Sequence, residues 1–73
     1  MTSTNETFAA NLRAEIARKQ LISSDLVDVL HKPRSSVYRL IRGEQIWSLT
    51  DATYAAEWVG VSLTKLFKEG ESA

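Results

Sequence analysis

Between Ser23 and Gly43 the chain reads SSDLVDVLHKPRSSVYRLIRG, and this stretch constrains the fold more than any other. It holds two short helical patterns parted by His31-Lys32-Pro33. Proline suits the first turn of a helix, where its missing N–H removes no bond, and it disfavours a helical conformation for the residue before it. Pro33 is therefore predicted to start a new helix. Ahead of the break, Ser23 and Ser24 are both candidate N-caps, and Asp25 falls in a first turn where the helix dipole favours an anion. Leu26, Val27 and Leu30 form the apolar side of this first helix, and Val29 falls outward with no role assigned. After the break Val37, Leu40 and Ile41 turn inward. Gly43 is placed to end the second helix in a left-handed conformation.

The rest of the chain follows the same periodicity. Phe8, Leu12 and Ile16, spaced four apart, predict a helix over residues 6–18, with Ala9 and Ala17 beside the apolar stripe and Arg13, Glu15 and Arg18 turned outward. After a loop over 44–47, Ser48 is a good N-cap for a helix with Leu49, Ala52, Ala55, Ala56 and Val59 inward and Gly60 as its stop. Ser62 then caps a last short helix carrying Leu63, Leu66 and Phe67. No strand alternation, internal repeat or low-complexity segment interrupts the pattern. The expectation is an all-α, compact five-helix domain over residues 6–68, with a flexible arm at 1–5 and a flexible tail at 69–73.

Seventy-three residues suffice for one compact domain and not for two. With 44% apolar and 25% charged residues, the composition is that of a folding domain rather than a disordered segment. Cysteine is absent, which excludes disulfides and thiolate metal ligands and leaves stability to packing. No apolar run approaches the roughly 18 residues that span a bilayer, and the opening MTSTNET lacks the regions of a signal peptide, so a soluble, cytoplasmic protein without a membrane partner is expected.

Nine basic and nine acidic residues give a formal net charge of zero, which argues against coating a nucleic acid by bulk attraction. Yet from Lys32 to Arg42 the chain carries Lys32, Arg34, Arg39 and Arg42 with no acidic residue. That asymmetry points to a polyanion partner for one face.

Taken together, FAANLRAEIARK, LVDVLHKPRSSVYRLIRG and SLTDATYAAEWVGVSLTKLF resemble the Cro and lambda-repressor-like helix-turn-helix family of phage and bacterial regulators. The likeness covers nearly the whole chain: an apolar first helix, a helix-turn-helix, a glycine ending the recognition helix, and a capped fourth helix running into GVSLTKLF. The departures are specific. His31 stands where the family usually has glycine in the turn, Val27 where it usually has alanine, Ile22 where a capping serine is common, and Glu44 in a loop that often carries lysine or arginine against phosphate.

The resemblance implies a sequence-specific DNA-binding transcriptional regulator that occupies a palindromic operator as a dimer, with the helix over 34–42 in the major groove. On that reading Arg34, Ser35 and Arg39 face base edges, with Ser36 and Tyr38 beside them. A guanidinium donates two hydrogen bonds to the acceptor edge of guanine, a contact worth about 1–3 kcal/mol of discrimination. Tyr38 either packs on a thymine methyl or donates to a phosphate. Ser23, Lys32 and Arg42 would contact phosphates. Trp47, Trp58, Leu63 and Phe67 supply a dimer patch if exposed, and complete a small core if not. Two alternatives share the fold: an antitoxin-type autorepressor, and an adaptor whose helix-turn-helix docks on a protein partner instead of double-stranded DNA.

Chemistry other than binding finds little support. His31 is the only histidine, and alone it makes no zinc site. Ser35 and Ser36 lie near it in sequence, but no orienting third group or oxyanion site accompanies them. Asp25 and Asp28 read as a solvated face. The three glycines are isolated, so no phosphate-cradling loop exists. No enzyme activity, metal or cofactor is expected.

Overall fold

A computed structural model describes residues 3–68. Among the described residues the protein is all-helical and compact, with five helices in the order α1 (Thr4–Arg18), α2 (Asp25–Leu30), α3 (Arg34–Arg42), α4 (Leu49–Val59) and α5 (Leu63–Leu66). Helix α1 packs against α3, α4 and α5, while α2 packs against α3 and α4. The largest fully buried side chains, Phe8, Leu12, Leu26, Val37, Leu40 and Leu66, come from all of these elements except α4, which contributes the smaller Ala52, Ala55, Ala56 and Val59.

Helix α1 begins two residues earlier than the periodicity predicts. Ser3 is extended (φ −72°, ψ 158°) and its side chain accepts the Glu6 N–H at 3.0 Å, so it is the N-cap. Thr4 and Asn5 are helical, which corrects the expected flexible arm at 1–5 for residues 3–5; Met1 and Thr2, like the expected tail at 69–73, lie outside the described residues. The expected outward position of Glu15 is also corrected. Its side chain is 9% exposed and receives Arg18 at 2.9 Å and Lys19 at 3.8 Å, a pairing that makes burial of a carboxylate tolerable. Ala17, expected beside the stripe, is exposed. The helix ends without glycine: Gln20 takes the left-handed conformation (φ 56°) and Leu21 N–H donates to Ile16 O at 2.9 Å.

Neither Ser23 nor Ser24 caps α2. Ser24 is itself helical (φ −65°, ψ −17°), so its hydroxyl cannot turn back onto the first-turn amides. Those amides are satisfied by tight backbone turns instead, Asp25 to Ile22, Leu26 to Ser23 and Val27 to Ser24, at 3.0 to 3.1 Å. His31 ends α2 in the left-handed region (φ 55°, ψ 45°) and Pro33 sits at the N-cap of α3, its carbonyl accepting from Val37 N–H at 3.0 Å. The break read from the sequence is thus a sharp turn made by one left-handed histidine and one extended proline.

Ser48 and Ser62 cap α4 and α5 as expected, accepting from Asp51 and Lys65 N–H. Leu49, expected inward, is 72% exposed. It is the first residue of α4, and helical side chains lean toward the N-terminus, so Leu49 projects past the end of the core that its partners three to ten residues later line.

Helix α1 also holds the other elements by their backbones. Asn11 Nδ2 donates to Leu66 O at 2.7 Å and Lys68 O at 3.1 Å, Arg13 Nη1 to Ile41 O at 2.7 Å, and Lys19 Nζ to Val59 O. Each acceptor lies at or near the C-terminal end of a helix, where carbonyls lack intrahelical partners and a cation meets the negative end of the dipole. Four elements are thereby fixed relative to one another by polar contacts as well as by the core.

Candidate nucleic-acid interface

The geometry of α3 follows from its buried side. Val37, Leu40 and Ile41 are at most 7% exposed and lock the rotation of the helix against α1 and the core. At about 100° per residue, Arg34, Tyr38, Arg42, Ser35 and Arg39 then fall in that order across an outward arc of about 140°. Arg34, Ser35, Arg39 and Arg42 are exposed, and Tyr38 is half-buried, its ring packed against the core margin. Ser36 falls outside that arc, on the side of Leu40, and is half-buried. It sits at the edge of the surface rather than on it.

The C-terminal end of α3 is set by Gly43 (φ 81°), with Glu44 N–H donating to Arg39 O at 2.8 Å and Gly43 N–H to Leu40 O at 3.1 Å. A Cβ at Gly43 would stand 3.5 Å from Ala9 Cβ, ordinary contact, so conformation rather than space is what asks for glycine here. Arg13 on α1 closes the same end through Ile41 O.

The cations around α3 differ in their partners. Arg42 is gripped by Glu44, Nε to Oε2 at 3.0 Å and Nη2 to Oε1 at 3.4 Å. The bond from Arg42, and then its charge, holds the Glu44 carboxyl below its ordinary value of 4.5, with Arg39 adding to the effect. Lys32 is 3.5 Å from Asp51, whose side chain is only 14% exposed in the first turn of α4. Arg34 and Arg39 form no ion pair among the described residues. Ser23 is half-buried at the entrance to α2.

The loop after α3 separates its two apolar residues. Ile46 is 77% exposed, whereas Trp47 is 7% exposed, edge-on to Phe8 with ring centroids 4.9 Å apart, and its indole N–H donates to Leu40 O at 2.8 Å. Trp47 is therefore core and not a dimer contact, because its one polar atom and its ring are both already satisfied inside the domain. Asn5 fastens this loop from both sides, its Nδ2 donating to Gln45 O at 3.1 Å and its Oδ1 accepting from Trp47 N–H at 2.8 Å. Trp58, Leu63 and Phe67 are half-buried and pack on the core, Phe67 with its ring centroid 4.8 Å from that of Phe8.

Other chemistry finds no assembled site. Among the described residues no group of three or more histidines, cysteines or carboxylates could hold a metal ion, and no helix is long and apolar enough to cross a membrane. No buried side-chain nitrogen or oxygen lacks a partner among them. The contacts that sequence reasoning missed are those of Asn5, Asn11, Arg13 and Lys19 to backbone carbonyls, which span 28 to 57 residues and leave no local signal in the sequence. Searches of family models, curated proteins and solved structures found no match to this chain.

Proposed function

We propose that the chain is a sequence-specific DNA-binding transcriptional regulator, with α2 and α3 forming a helix-turn-helix of the Cro and lambda-repressor type. The observation that carries this reading is the outward face of α3. In a chain of zero net charge, that face holds Arg34 and Arg39, both exposed and without an acidic partner among the described residues, on a helix whose opposite side is locked into the core. Such a helix presents two guanidinium forks at a fixed rotation, which is what reading guanine edges in a major groove requires. Ser35 between them donates or accepts, Tyr38, beside Arg34 in the arc, supplies an apolar contact, and Lys32, Arg42 and Ser23 position the domain on phosphates.

Two copies would occupy a palindromic operator in the cytoplasm, with half-sites about one helical turn apart. With Trp47 committed to the core, the exposed parts of Trp58, Leu63 and Phe67 supply the apolar contact between copies. Regulation is by occupancy, without a catalytic step. An autorepressing antitoxin uses the same surface, and the gene beside its own distinguishes it. The exposure of Ile46 and Leu49 is the observation that favours the other reading, an adaptor docking on a protein.

Selection of bound duplexes from a random pool at near-physiological salt tests the proposal. Enrichment of a palindrome whose preference relaxes in Arg34→Ala and Arg39→Ala is the expected result. Binding that vanishes as salt rises, with no sequence enriched, refutes it.

A further inference from the structure

We infer that Glu44 is a specificity-determining residue that acts by competing with DNA phosphate for the Arg42 guanidinium; this rests on the reading of α3 as the DNA-facing helix. The carboxylate occupies the Nε/Nη2 edge of Arg42 with two oxygens at 3.0 and 3.4 Å. A phosphate presents the same pair of oxygens to the same edge, so the two partners exclude each other there.

The position of Glu44 has no evident structural purpose. It follows Gly43 at the C-terminal end of α3, the end where the helix dipole disfavours an anion. Its side chain and that of Arg42 are 57% and 54% exposed, and an ion pair so exposed adds little to stability. Arg39 also helps to hold the Glu44 carboxyl below its ordinary value, so the carboxylate lies within electrostatic reach of a proposed base-reading arginine. By contrast, Asp51, which holds Lys32, is mostly buried at the N-terminal end of α4, where an anion serves the fold.

The consequence concerns discrimination. Contacts to phosphate supply essentially all of non-specific binding, whereas contacts to bases supply the preference. Occupying Arg42 from within weakens binding to every sequence and leaves Arg34 and Arg39 to carry a larger share of what remains.

The test is fluorescence anisotropy with a short labelled duplex of random sequence over a salt series, comparing wild type with Glu44→Gln, Arg42→Gln and the double variant. Glu57→Gln, an exposed position on α4, controls for the simple loss of a negative charge. Freeing one cation for phosphate steepens the slope of log K against log salt by about 0.9, which at moderate salt is roughly a fivefold gain in affinity. Glu44→Gln should show this gain, Glu57→Gln should not, and in the Arg42→Gln background the gain from Glu44→Gln should vanish. Glu44→Ala should repeat the result, with thermal unfolding unchanged. A gain no larger than that of Glu57→Gln, or one that persists without Arg42, overturns the inference while duplex binding by the wild type leaves the DNA-binding proposal standing. Failure of every variant, wild type included, to bind the duplex even at the lowest salt of the series overturns both.

Discussion

Trp47→Phe separates the core assignment of this residue from an interface assignment. The substitution keeps an aromatic ring against Phe8 but removes the indole N–H that donates to Leu40 O at 2.8 Å, a bond with net worth of about 1 kcal/mol. The smaller ring also gives up on the order of 40 Å² of buried apolar surface, a further loss of about 1 kcal/mol at roughly 25 cal/mol per Å². The Leu40 carbonyl keeps its bond from Gly43 N–H at 3.1 Å, so no penalty for an orphaned acceptor is added. The expected loss is about 2 kcal/mol. In a domain of this size each kcal/mol moves the midpoint by roughly 4–8 °C, so thermal unfolding followed by circular dichroism should show a drop of about 10 °C. Ile46→Ala, one residue earlier but 77% exposed, should stay within about 0.5 kcal/mol of wild type. Because the loss lies inside one chain, the drop should not depend on protein concentration. Equal effects of the two variants, or a drop that shrinks as protein concentration rises, would refute the placement of Trp47 in the core.

Asn5→Ala removes the two bonds that hold the loop after α3 to α1 and should lower stability by about 1–2 kcal/mol in urea unfolding; amide exchange at Trp47 should accelerate more than at Leu40. His31→Gly relieves a side chain from the left-handed region and should raise stability by about 0.5 kcal/mol, whereas a decrease would mean that the imidazole makes a compensating contact. The Glu44 carboxyl should titrate below 4.5 by NMR in the wild type and return toward that value in Arg42→Gln. Since its folded value is the depressed one, any stability this pair contributes is present above pH 4.5 and is lost as pH falls through the lower folded value.

Helix ends that carry their own chemistry were legible in the sequence. Pro33, Gly43, Ser48, Gly60 and Ser62 each act within four residues of themselves, through a fixed φ, a permitted left-handed conformation or a short capping bond, and each stands where the local pattern puts it. The serines before α2 misled for the same reason. Capping depends on the conformation of the cap residue, and Ser24 is already helical because the chain enters α2 through tight turns that local composition does not announce. Ile46 and Trp47 are neighbours in a loop, where no periodicity tells the inward residue from the outward one; Trp47 goes in because Phe8, distant in sequence, and the Leu40 carbonyl on α3 complete its site.

The same distinction applies to the candidate interface. Which residues α3 turns outward is fixed by Val37, Leu40 and Ile41, a pattern contained in nine residues, and so Arg34, Ser35 and Arg39 were legible from the start. How firmly that face is held depends on α1. Arg13 reaches across 28 residues to the carbonyl of Ile41 and Asn5 across 40 to that of Gln45, so the C-terminal end of α3 and the loop beyond it are pinned from outside the motif. On the proposed DNA-reading role, a short helix placing guanidinium groups on base edges would gain from such fixing, because rotamer and backbone freedom lost in advance is not lost on binding. Helix α1 is then more than a lid on the core: it supplies the rigidity that lets a nine-residue helix carry a defined array of donors.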